Sequence, residues 1–332
     1  MSGEDQICSS EEAILKTSSQ LRVISCLLLC VGLTGFASAQ VNLPVSNLGM
    51  TTFEDGLAGP GGAIEEYIGY APASSIRDSQ GNKIAGANST VNVFVTHLAY
   101  YTSYKFLGAN VGTEVLAPLA NVVLTQPQAG GTYQIRGAGD ISISPIMMSW
   151  KPTNILGRLY FHRFHVTLTV PTGKYSDQRI LNPGNHLVSL EPWYAFTIYP
   201  IKHSNKLEIS GRLHYLWNSA NEDPFVGYGF KNMQPGQALH ENYTIGWLVK
   251  KDIRVGYNGY AVNQITKNRY NDVASIGSEE RLFGNGPGVE IGSPDKITFF
   301  ASFYVESGAH NTSEGTRLLF RVRKVFGPIG EH

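Results

Sequence analysis

The stretch Lys206-Leu207-Glu208-Ile209-Ser210-Gly211-Arg212-Leu213-His214-Tyr215-Leu216-Trp217-Asn218 decides the fold. Read at every second position, it separates into two sets. Leu207, Ile209, Gly211, Leu213, Tyr215 and Trp217 form one; Lys206, Glu208, Ser210, Arg212, His214, Leu216 and Asn218 form the other. Successive strand side chains point to opposite faces, so this is a strand with one apolar and one polar, charged face. A helix would need apolar residues every three to four positions. The alternation begins earlier, where Phe164, Val166 and Leu168 interleave with Arg163, His165, Thr167 and Thr169. It continues where Val188, Leu190, Tyr194, Phe196 and Ile198 interleave with Ser189, Glu191 and Thr197.

Which face meets the core depends on where the chain goes, and the N-terminus speaks to that. Arg22 precedes an apolar run through Leu33, and Ala37-Ser38-Ala39 supplies small residues where a signal peptidase cuts. Residues 1–39 therefore read as a secretory signal peptide, too short and wrongly flanked to span a bilayer as a helix. Glu4, Asp5, Glu11 and Glu12 are out of place in such a segment; Lys16 and Arg22 make the expected basic region, which implies a start codon assigned too early. Cys8, Cys26 and Cys30 all precede the cut, so the mature chain has neither disulfides nor thiolate chemistry. Taking two of 26 basic and four of 26 acidic residues away with the signal leaves a net charge of +2, which gives no case for nucleic acid as partner.

Twelve strand-like segments follow an irregular N-terminal arm at 40–62, within a barrel expected over 63–326 and before a tail at 327–332. The connections alternate in length. Pro72–Thr90, Asn121–Ala138, Pro171–Asn185, Ser219–Ala238 and Ile265–Arg281 are long, whereas Phe106–Gly108, Pro200–Asn205, Lys251–Asp252 and Gly292–Asp295 are short. A soluble sandwich has no reason to sort loops in this way. An up-and-down barrel in an outer membrane does, with short periplasmic turns and long extracellular loops. In lipid a sheet spans only if it closes. The expected fold is thus all-β, a transmembrane antiparallel barrel of twelve strands, apolar set toward lipid and polar set toward the lumen. In the last strand Leu318, Phe320, Val322 and Phe326 take the lipid face and Arg317, Arg321 and Arg323 the lumen. Its terminal aromatic is of the kind that outer-membrane assembly machinery reads.

Gly139-Asp140-Ile141 with Pro145 and Trp150, Pro171-Thr172-Gly173-Lys174-Tyr175, Asn182-Pro183-Gly184-Asn185, Gly256-Tyr257 through Gln264-Ile265-Thr266, and Gly286-Pro287-Gly288 form an ordered set. In order and spacing the set resembles an outer-membrane family named for the meta-pathway of phenol degradation. The resemblance implies a barrel that passes small hydrophobic or aromatic compounds, in the outer membrane of a Gram-negative envelope, with no cofactor.

Other motifs carry less. Gly284, Gly286 and Gly288 lack the following helix of a phosphate loop and read as strand glycines. His162 and His165 fall on opposite faces, and no nucleophile-elbow spacing occurs, which leaves an outer-membrane hydrolase, or a soluble secreted sandwich, as the competing classes. The candidate lumen-lining or solute-binding residues are Arg163, His165, Glu191, Glu208, Arg212 and His214, with Glu114, Glu306, Arg321 and Arg323 as further lumen charges. Opposite charges among them are expected to pair across the ladder, Glu208 with Arg212 in particular. No residue pattern calls for a metal or a catalytic group.

Overall fold

A computed structural model describes residues 43–44, 47–292 and 297–327; the expected signal peptide and most of the expected tail lie outside the described residues. The alternating segments become twelve antiparallel strands: β1 (Gly61–Ala73), β2 (Asn88–Phe106), β3 (Ala109–Gln126), β4 (Ile141–Ser149), β5 (Arg158–Val170), β6 (Ser189–Ile198), β7 (Leu207–Asn218), β8 (Ala238–Lys250), β9 (Ile253–Gln264), β10 (Arg281–Ile291), β11 (Ile297–His310) and β12 (Thr316–Phe326). Each pairs with its neighbours in sequence, and β1 pairs with both β2 and β12. Tyr67 stands opposite Val95 on one side and Arg321 on the other, so the sheet closes on itself.

The two faces fall as the alternation requires. On β7, Leu213 is 54% exposed while Glu208 is 0% exposed. Ile64, Ile68, Leu98, Ile245, Phe299 and Phe320 continue the exposed apolar surface around the wall. A polar interior under an apolar exterior is stable only where lipid surrounds the barrel.

The loops sort by end. Leu107–Gly108 and Lys251–Asp252 are tight turns at one end, and 171–188, 219–237 and 265–280 stand at the other. One long connection is not the expected loop. β3 runs on to Gln126, turns through Gly130 in the left-handed region, and pairs with a returning strand at Gly131–Ala138. Val122 faces Ile135 and Leu124 faces Tyr133, so period-two alternation continues past the membrane and its amides stay paired.

The larger difference concerns the arm. Residues 47–60 do not trail away from the barrel; they run inside it. The Leu43 amide donates to Glu280 at the long-loop end, the Ser149 hydroxyl donates to the Ala58 carbonyl at the short-turn end, and β1 begins at Gly61. The arm fills the lumen beside β5–β9. This alters the reading of Ser210, which is lumen-facing but donates to Glu208 and lies 2.7 Å from Thr197, leaving no room for a larger side chain.

Leu213→Arg is expected to cost about 2–4 kcal/mol of folding free energy in lipid vesicles, and the same change at loop residue Val226 close to none. Ser210→Arg should also destabilise, through overpacking. Equal refolding of the Leu213 and Val226 variants would overturn the face assignment.

Candidate functional site

The site is the lumen, and the arm organises it. Phe53 is fully buried against the inward glycines Gly246 and Gly256, where an added Cβ would come within 3.0 and 2.6 Å of the ring. Asn242 on β8 accepts from the Gly49 amide (2.8 Å) and donates to the Asn47 carbonyl (2.8 Å). The Tyr304 hydroxyl donates to the Gly49 carbonyl (2.8 Å) and the Gly56 amide to the Thr197 hydroxyl (2.8 Å). At Gly56 the arm lies so close to the wall that a Cβ would sit 2.4 Å from the Thr197 nitrogen.

Charges fix the rest. Arg163 donates to both the Asp55 carbonyl (2.7 Å) and its carboxylate (2.8 Å), and Arg212 holds the same carboxylate through Nε (2.7 Å) and Nη2. The Arg212 guanidinium lies 3.9 Å above the Trp193 ring. Beside this, Arg254 lies between Glu208 (3.0 Å), Glu54 (3.2 Å) and Glu290 (3.6 Å).

The other half of the lumen is open. A cavity of about 760 Å³ runs between the arm and the wall made by β12 and β1–β4. Its upper part is apolar: Val91, Val93 and Val95 on β2 face in beside Leu116, Pro118 and Ala120 on β3. Below lies a belt of polar groups joined edge to edge. Tyr101 Oη and His165 Nε2 are 2.6 Å apart, His165 Nδ1 lies 3.1 Å from Glu114, Glu114 3.0 Å from His97, and His97 3.3 Å from Glu65. Arg321 and Arg323 reach the cavity from β12.

Of the six residues selected from sequence, Arg163, Glu191 and Arg212 line this cavity. His165, Glu208 and His214 also point inward but are buried beneath other groups. The expected ladder pairing is corrected. Glu208 and Arg212 are not partners: Arg212 takes Asp55, Glu208 takes Arg254 and the Glu54 amide, and Glu191 takes His214. The arm brings in acids that no strand pattern could place. Glu114, Glu306, Arg321 and Arg323 face the lumen as read, with Glu306 3.3 Å from Arg317. Sequence reasoning missed Glu54 and Asp55, which sit in a stretch without a period. It also missed Glu65, His97, His240, Arg254 and Glu290, although alternation along their own strands marks each as inward.

The motif residues also acquire roles. Asp140 accepts from the Gly173 amide (2.9 Å) and the Asn185 amide (2.7 Å), and Gly184 packs against it without room for a Cβ. This ties two loop segments into a knot at the long-loop mouth. Gln264 does the same for another loop, donating to the Thr266 carbonyl (2.7 Å) and accepting from the Glu280 amide (3.1 Å). Gly256 seats Phe53; Gly286 and Gly288 pack on Phe303 and Asn258.

One solved structure agrees with this architecture as a whole. The COG4313 outer membrane channel from Pseudomonas putida F1 is similar at a TM-score of 0.70 and 17% identity, over 82% of this chain and 98% of that one. The transport unit of the autotransporter AIDA-I from Escherichia coli is similar at 0.47 and 10%, over 81% and 90%. A Pseudomonas aeruginosa FadL homologue gives 0.36 and 8%, over 80% and 90%. No curated protein matches. Residues 73–322 match the family described as "Putative MetA-pathway of phenol degradation", and the chain belongs to that family.

Proposed function

We propose that this protein is an outer-membrane channel for small apolar or aromatic solutes, with the long loops extracellular and the N-terminal arm as its constriction. The observation that carries this reading is the apolar lane of Val91, Val93, Val95, Leu116, Pro118 and Ala120, which lines the open cavity above the polar belt. Lumen positions in a water-filled pore have no reason to be valine. At about 25 cal/mol per Å², a solute that buries roughly 150 Å² gains about 4 kcal/mol. Conduction needs binding favourable enough to enter and weak enough to leave, and a gain of this size meets both conditions. The polar belt beneath is already hydrogen-bonded to itself, so it offers an apolar molecule no adhesive groups, while its charges exclude a continuous apolar contact. The arm narrows the path and sets the resting conductance.

Three outcomes follow. Val95→Asp should lower uptake of toluene-sized solutes into liposomes by about ten-fold while the barrel stays folded by heat-modifiable migration; undiminished uptake would remove the lane from the path. Gly56→Val should displace the arm and raise single-channel ion conductance, and an unchanged conductance would show that the arm is not the constriction. Asp55→Asn leaves two buried guanidinium groups without a counter-charge, at a cost on the order of 3–5 kcal/mol. Asp55→Asn should therefore also raise single-channel conductance, and an unchanged conductance would show that this carboxylate does not hold the arm.

A further inference from the structure

We propose that Glu191, His214 and His240 form a binding site for a late first-row divalent cation such as Zn²⁺. The three residues come from consecutive strands β6, β7 and β8. His214 stands directly opposite Trp193 of β6 and His240 of β8, and Glu191 lies two residues along β6 on the same inward face. Glu191 Oε1 is 2.5 Å from His214 Nδ1 and 3.2 Å from His240 Nε2. A tetrahedral cation with ligands at 2.0–2.1 Å needs donor atoms about 3.3 Å apart, so the Glu191–His240 separation already fits and the Glu191–His214 contact must open, with all three donor atoms within 4.8 Å of one another.

Two features separate this cluster from an ordinary buried hydrogen bond. The imidazole side chains are both 0% exposed and stack at 4.0 Å with planes 14° apart, which brings ring nitrogens of both to one carboxylate. Of their four ring nitrogens, only His214 Nδ1 has a hydrogen-bond partner; His214 Nε2 and both nitrogens of His240 have none. A neutral imidazole brings one N–H and one lone pair. The Glu191 oxygen has lone pairs for both rings, but His240 Nε2, 3.2 Å away, makes no aligned hydrogen bond to it, whereas a cation between the rings takes the lone pairs of His214 Nδ1 and His240 Nε2 directly. Two imidazoles and a carboxylate are the donor set of an open zinc site, with a fourth position free. Glu191 lines the cavity, which gives the ion its entry. The nearest arginine on the same face, Arg212, is turned to Asp55. The site stands independently of the transport reading.

The test uses the untagged mature chain refolded in detergent, where the absence of cysteine removes competing thiolates. After incubation with Zn²⁺ and passage over a chelating resin, metal is counted by mass spectrometry. One zinc per barrel is expected in the wild type. His240→Ala and Glu191→Gln should weaken binding by at least about ten-fold, and His203→Ala, at an exposed loop histidine, should leave it unchanged. Should His240→Ala fail to fold, His240→Gln keeps the volume, and X-ray absorption on the wild type must show two imidazole ligands and one carboxylate. Absence of stoichiometric zinc in the wild type, or equal retention in the His240 and Glu191 variants, overturns the proposal.

Discussion

A backbone amide in hydrocarbon has no solvent to bond, and that constraint governs this molecule. It demands a closed ladder, so the first strand must find the last, and Gly62 through Tyr70 pair with Phe326 through Leu318 across the whole length of the chain. Closure then fixes the direction of every side chain. Apolar residues go outward because lipid is there, and the alternate set is confined to a space that must itself be satisfied. A twelve-stranded barrel is too wide for its own side chains to fill everywhere, and the arm takes up one half of the room.

The composition of the arm follows from what it meets. Arginines remain charged at any depth. Arg163, Arg212 and Arg254 all project into the half of the lumen that the arm occupies, and Glu54 and Asp55 arrive adjacent in sequence to answer them. The opposite half, which the arm meets through Ser149 and Arg317, balances its charges differently, through histidine and glutamate in a chain from His165 to Glu65 with Arg321 3.9 Å from Glu65. Two solutions to the same burial problem thus sit side by side, and the cavity runs along their boundary.

The sequence showed the sheet more clearly than the lumen. Alternation at Leu207 through Asn218 is a property of neighbouring residues, and it survives into the structure because lipid and lumen impose it at each step. The same rule located Glu114, Glu306, Arg321 and Arg323 on the inner face. Partnership is a different matter. Glu208 and Arg212 share a face and a strand, yet each prefers a group from far away in sequence, because a segment without any period supplies better-placed charges. The arm itself carries no repeat, and its residence inside the barrel depends on glycines at 56, 246 and 256 whose meaning is only steric. The motif at Asp140 was visible as a pattern, but its work as a loop knot appears only when 140, 173, 184 and 185 are brought together.

The position of the arm in the chain has a consequence for how the molecule is put together. It is joined to β1 at Gly61, and β1 is one side of the seam that closes the barrel. The seam joins residues 248 to 264 positions apart, and contacts of such separation form late. Until they form, the barrel is an open, curved sheet, and the arm can be laid into its concavity sideways. Once the seam has zipped, the arm would have to be threaded lengthwise through a closed lumen, past side chains that already project into its half. The order of assembly is therefore set by geometry: packing of the arm precedes closure, and the buried salt bridges at Asp55 serve as a template on which the wall curves before its edges meet.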